Sequence, residues 1–208
     1  MKVLYVIFLF SSLMLFADAS SLSLDKLMKG NERYVNGNPL CSKDDAEKRK
    51  AVIKKQKPFA LIVSCSDSRV PPEVIFDQNV GDIFVVRVAG NVLGAVETDT
   101  VEYGAGRLQI PLILVLGHES CGAVTAVLDG TVSENYLEQL APLIQPAVEQ
   151  SKNMPGNRLE NAIKENVRLV VEKLKSNPII EPLLKKKKVR IEGGYYHLDS
   201  GKVDLLKS

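Results

Sequence analysis

Three short runs of this chain are apolar at nearly every position: residues 59–64, 83–88 and 112–116. Each is bounded by glycine, proline or charged residues, and two of them are rich in β-branched side chains. Such runs predict strands buried on both faces, as in a parallel sheet. Elsewhere the apolar positions recur at helical spacing. Leu24, Leu27, Met28, Tyr34 and Val35 predict an amphipathic helix over 23–35, broken by Asn36-Gly37-Asn38-Pro39. Residues 44–55 are charged and helix-compatible, and Pro71-Pro72 opens a short helical segment through Phe76. Further helices are predicted over 96–108, from Gly122 onward, over 134–152 with interruptions at Pro142 and Pro146, and over 158–175. The tail reads as two strand segments, 189–192 and 195–198, then a turn at Asp199-Ser200-Gly201 and a last short strand over 202–205. Apolar strands separated by helices predict an α/β fold: a central, mainly parallel β-sheet flanked by helices on both faces.

The chain has 208 residues, 45% hydrophobic and 25% charged, which suits one domain with a full core over 20–208. A net charge of +2 gives no case for a nucleic-acid partner. The one basic block, Lys185 to Lys188 with Arg190, reads as a solvated approach to a strand. The N-terminus changes the picture more. Met1-Lys2 precedes 14 mostly apolar residues, 3–16, and then Ala17-Asp18-Ala19. The stretch is short of the roughly 20 residues of a membrane span. It reads instead as a signal peptide, residues 1–19, cleaved on export to a periplasmic or extracellular location with no stable membrane insertion afterwards.

The candidate chemistry lies at the ends of two strands. Residues 59–64 run into Cys65-Ser66-Asp67-Ser68-Arg69, and 112–116 run into Gly117-His118-Glu119-Ser120-Cys121-Gly122. Parallel sheets usually place their sites at the carboxyl ends of strands. Two thiolates and one imidazole form a ligand set for zinc, with a fourth position left for Asp67 or water. Arg69 can compete with the metal for the Asp67 carboxylate. Two cysteines used as ligands also explain an odd cysteine count in an exported chain. Cys41 is then a lone thiol without an assigned role.

Together, Cys-x-Asp-x-Arg after one strand, Gly-His-x-x-Cys-Gly after another, and Gly81-Asp82-Ile83-Phe84-Val85-Val86-Arg87 between them resemble the β-class carbonic anhydrases. The similarity runs from about Leu24 to the final strand. It implies reversible hydration of carbon dioxide to bicarbonate and a proton by a hydroxide carried on zinc. The ion, one per subunit, would be held by Cys65, His118 and Cys121, with Asp67 as a pH-dependent fourth ligand. It implies that Asp67 and Arg69 are catalytic, the arginine holding the carboxylate off the metal. Gln56 would donate a hydrogen bond to a substrate oxygen, and Phe84, Ala89 and Tyr103 would line the cleft. In the family that cleft is completed across a subunit interface, which implies a homodimer or a dimer of dimers. The chain has no tryptophan, which argues against the non-catalytic bicarbonate pocket of some bacterial members.

Two rival functions share these residues. One is hydrolysis of carbonyl sulfide or carbon disulfide on the same fold and ligands. The other is a structural zinc site. A structural site closes with a fourth Cys or His, and the spare candidates, Cys41 and His197, do not stand at ligand spacing.

Overall fold

The computed structural model describes residues 4–41, 46–132 and 137–207, with only the backbone course for 4–18. The predicted helix starts at 44 and 134 lie outside the described residues. Five strands form one sheet in the order β2-β1-β3-β4-β5. They are β1 (Ala60–Ser64), β2 (Ile83–Arg87), β3 (Leu112–His118), β4 (Arg190–Tyr196) and β5 (Val203–Leu205). The first four run parallel, and β5 returns antiparallel to β4.

Alternation along the central strands builds two cores. Ala60, Ile62, Leu112, Leu114 and Leu116 face one way, against Leu24 and Leu27 of α1 (Leu4–Val35), Ile75 of α3 (Pro72–Ile75), Val124 and Val127 of α5 (Gly122–Leu128), and Ile144 of α6 (Ala141–Ser151). Leu61, Val63, Ile113 and Val115 face the other way. They meet Val101 of α4 (Ala95–Glu102), Val167, Val170, Val171 and Leu174 of α7 (Arg158–Lys175), and Ile180 just before α8 (Glu181–Lys185). β1 and β3 are buried on both faces, which is why their sequences read as unbroken apolar runs. The same expectation fails for β2: it lies at the sheet edge, where only Val86 is fully buried, Ile83, Phe84 and Val85 are half-buried and Arg87 is exposed. The remaining helix, α2 (Ala46–Val52), is charged and buries none of its residues.

The structure differs from the sequence expectations in four further places. The segments expected over 189–192 and 195–198 merge into one continuous strand, β4 (Arg190–Tyr196), which runs through Gly193-Gly194. Those glycines read as a break, but Gly193 lies where α7 packs against the strand: a Cβ there would stand 2.9 Å from Val167 Cγ1. The helix expected over 23–35 extends back to Leu4. The helix expected over 96–108 ends at Glu102 and continues as one wider turn, Tyr103–Arg107, in which the Leu108 N–H donates to the Tyr103 carbonyl at 3.0 Å. Finally, α6 runs through Pro146, whose missing N–H forfeits one bond to the first turn.

The two ends of the described chain are tied together by Asn31 on α1. Its Nδ2 donates to the carbonyls of Ile75 (3.2 Å) and Gly201 (2.8 Å), and its Oδ1 accepts from Val203 N–H (2.9 Å). Two residues on, Arg33 Nε donates to the buried Asp77 carboxylate at 2.5 Å. Burial alone would raise the Asp77 carboxyl. The N–H groups of Leu40 and Cys41, together with Arg33, outweigh it and hold the pKa below the ordinary range.

Replacing Asn31 with alanine strands three buried backbone groups and is expected to cost about 2–4 kcal/mol of unfolding free energy in urea titrations. A loss under about 1 kcal/mol would show that this tie is dispensable. Asp77 has a depressed folded-state pKa, so its contribution is complete above the ordinary carboxylate value of about 4 and disappears as pH falls through and below it. The stability gap between the wild type and Asp77→Asn should therefore narrow in acid. A constant gap would contradict the assignment.

Candidate metal centre

Register brings the two predicted motifs together. β1 and β3 pair with Ser64 opposite Leu116, so Cys65, one residue beyond β1, comes level with the end of β3, where His118 is the last residue. After Glu119, Ser120 takes a left-handed φ of 53°, which turns the chain so that Cys121 lands at the N-cap of α5. Cys65, His118 and Cys121 are all buried, and their ligand atoms lie within 4.8 Å of one another. The two sulfurs are 4.0 Å apart.

The imidazole is oriented before any metal arrives. With Nδ1–H donating to the Glu119 carbonyl at 2.8 Å, the lone pair is on Nε2. Nε2 is buried and has no hydrogen-bond partner among the described residues. The sulfurs share a hydrogen bond in which Cys65 is the more acidic. The Cys121 thiol is the main cause of its lowered pKa. Burial opposes the shift, and the neighbouring His118 imidazole and the N–H groups of Asp67 (3.4 Å) and Gly90 (3.3 Å) reinforce it. Cys121 is pushed up in turn, by Cys65 and by burial. A soft, convergent donor set with a free imidazole nitrogen fits zinc.

Asp67 stands at the edge of this set, its Oδ2 4.0 Å from His118 Nε2. Both carboxylate oxygens are engaged by Arg69. Oδ1 accepts from Arg69 Nε and from the Arg69 backbone N–H, each at 2.9 Å, and Oδ2 accepts from Nη2 at 2.7 Å. That fork holds the Asp67 carboxyl far below the usual carboxylate range. Arg69 Nη2 also reaches the Ser120 carbonyl at 3.3 Å, linking the two motif loops.

The other residues singled out in the sequence lie around this centre or apart from it. Phe84 on β2 and Tyr103 at the start of the wide turn face each other with ring centroids 6.3 Å apart, and Tyr103 is half exposed. Ala89 precedes Gly90 in the turn after β2. Gln56 is exposed in the loop before β1. His197 is not drawn into the metal set; its Nε2 pairs with Asp204 at 2.9 Å. Cys41 donates to the Asp77 carbonyl at 2.9 Å, and burial pushes its thiol up to about 11.

Sequence reasoning missed the residues that hold the loops. Arg87, at the end of β2, donates to the carbonyls of Cys65 (2.9 Å) and Asp67 (2.6 Å). Glu119 accepts from Leu198 N–H at 2.9 Å, fastening the loop between His118 and Cys121 to the C-terminal hairpin. An arginine closing a β-strand whose neighbour ends in a ligand was the available signal for Arg87.

Known proteins share this family and fold. The carbonic anhydrase family model matches residues 60–203. Carbonic anhydrase 2 of Mycobacterium tuberculosis is 37% identical over 184 residues, covering 86% of this chain and 89% of that protein. The solved β-carbonic anhydrase CcaA superposes with a TM-score of 0.68 at 27% identity, over 78% of this chain and 89% of that one. One of two tetrameric β-carbonic anhydrases from Sordaria macrospora gives 0.69 at 24% identity, over 90% and 95%. With the family match spanning the sheet and both motif loops, the chain belongs to the β-class carbonic anhydrases, zinc enzymes that interconvert carbon dioxide and bicarbonate.

Proposed function

We propose that Cys65, His118 and Cys121 hold the zinc ion for carbon dioxide hydration in this chain, and that Asp67 and Arg69 control the fourth position. The observation that carries this reading is the unpartnered, buried Nε2 of His118 beside two sulfurs. An unsatisfied buried nitrogen costs about 1–3 kcal/mol, a penalty that ligation removes. When bound, zinc supplies the Lewis acidity that brings the pKa of a water down to about 7.

The residues around it divide the remaining work. Arg69 occupies both Asp67 oxygens and so keeps the carboxylate from closing the set as a fourth ligand. Asp67, ionised throughout the neutral range, accepts a hydrogen bond from the reacting water and orients it. Arg87 fixes the backbone on which both depend. Phe84, Ala89 and Tyr103 line the approach for an apolar substrate, and Gln56 donates to a substrate oxygen.

We propose further that the cleft is completed in a homodimer or a dimer of dimers. β2 is an edge strand. Beside it lies a groove of about 580 Å³ lined by Tyr34, Val74, Val80 and Ile83, with Val74 and Val80 exposed. The tetrameric assembly of the Sordaria macrospora enzymes supports the same reading. Residues 1–19 act as an export signal, and the mature domain is 20–208. Ser20, Ser23, Leu24 and Leu27 are buried, so the packed part of α1 survives a cut after Ala19. Among the described residues no helix is long and apolar enough to cross a membrane.

Cys65→Ser and His118→Ala should lose stoichiometric zinc together with activity. Asp67→Asn and Arg69→Ala should keep zinc while stopped-flow carbon dioxide hydration falls about 10²–10⁴-fold. Full hydration by Cys65→Ser, or by Asp67→Asn, would overturn the assignment. Intact mass and light scattering of the protein recovered from a bacterial periplasm should give a chain beginning at Ser20 in an even-numbered assembly. A retained Met1 or a monomer would refute the export or the assembly reading respectively.

A further inference from the structure

The turn after β2 connects the metal set to the middle of α7. The Gly90 N–H points at Cys65 Sγ from 3.3 Å. Gly90 has a φ of 72°, and a Cβ there would meet Ile144 Cδ1 at 2.8 Å, so both conformation and space call for glycine. The Asn91 N–H closes the turn onto the Val88 carbonyl at 2.9 Å. The carbonyl of Gly90 is fixed from outside the turn: Asn166 Nδ2, from α7, donates to it at 2.7 Å.

Asn166 is a poor choice for packing. It is 1% exposed and sits in a small cavity wall with Val92, Leu93 and Val170. Its Oδ1 has no hydrogen-bond partner among the described residues. A buried amide with one oxygen unsatisfied is penalised relative to a leucine of similar size. Among the described residues, the bond to Gly90 is the hydrogen bond that the Asn166 side chain makes.

We infer that Asn166 is a positioning residue for the metal site. By fixing the carbonyl of Gly90 it aims the Gly90 N–H at the Cys65 sulfur and draws off part of the charge that this sulfur gives to the metal. This rests on Cys65 being a metal ligand. Two thiolates donate more charge than two imidazoles and so weaken the acidity that zinc confers on water; a hydrogen bond to one sulfur counters this. The Asp67 N–H, 3.4 Å from the same sulfur, belongs to the loop after β1 and not to the turn that Asn166 holds.

The test uses ¹⁵N-labelled protein loaded with ¹¹³Cd²⁺, and separately with Co²⁺. In the wild type the Gly90 amide should show scalar coupling to cadmium across the N–H···S bond. In Asn166→Leu and Asn166→Ala that coupling should fall or vanish, the thiolate-to-cobalt charge-transfer band should move to longer wavelength, and metal affinity should drop about 10–100-fold. Lower thermal stability with the coupling and the band unchanged would mean that Asn166 serves only the fold, and would overturn the inference. Absence of Gly90 coupling in the wild type would overturn it as well, whether or not the variants fold. Cys65→Ser is the control for the underlying reading: a cobalt spectrum unaffected by it would reject Cys65 as a ligand, a different failure from an unresponsive Asn166.

Discussion

The parallel pairing of β1 with β3 is the constraint on which the rest depends. Ser64 lies opposite Leu116, and this register brings Cys65 and His118 to the same end of the sheet although 53 residues separate them in sequence. A slip by one residue would exchange the two faces of the strand. Ile62 and Leu114 would leave the core made by α1, α5 and α6, and Cys65 would leave the metal set. The register is therefore specified by the burial of both strand faces. The metal site inherits its precision from the hydrophobic core.

On that foundation the polar groups act at short range and mostly through the backbone. Arg69 clamps the Asp67 side chain, while Arg87 clamps the carbonyls beneath it. Glu119 ties the second motif loop to the hairpin after β4, and Asn31 ties that hairpin to α1. The ligands thus sit between two anchored loops, an arrangement suited to a donor set that must stay open at one position. Orientation of His118 by a neighbouring carbonyl belongs to the same scheme, because it settles which nitrogen faces the sulfurs.

Much of this was legible in the sequence, for identifiable reasons. Strands buried on both faces leave unbroken apolar runs, and α7 carries a helical apolar stripe ended by Asn177-Pro178, so those elements were read closely. Candidate ligands announce themselves by residue type and spacing, so Cys65, His118 and Cys121, which the fold brings together, could be singled out beforehand. Gly193-Gly194 misled because glycine marks both breaks and close approaches, and only the position of α7 decides between them. Arg87, Glu119 and Asn166 were not legible as site residues. Each acts on a backbone N–H or C=O distant in sequence, and apart from the strand-end position of Arg87 such a bond leaves no pattern in the residue types. The continuation of α1 to Leu4 was likewise hidden, since a signal-like apolar run and a helix make the same pattern.

The central claim is that Arg69 holds Asp67 away from a metal bound by Cys65, His118 and Cys121, leaving the site open. It is tested most directly by stopped-flow carbon dioxide hydration on the zinc-loaded protein as a function of pH. An open site predicts substantial turnover already at about pH 7, where the acidified water begins to ionise. Turnover that is absent near neutrality and emerges only in distinctly alkaline solution would mean that the carboxylate closes the site at rest, contradicting the claim.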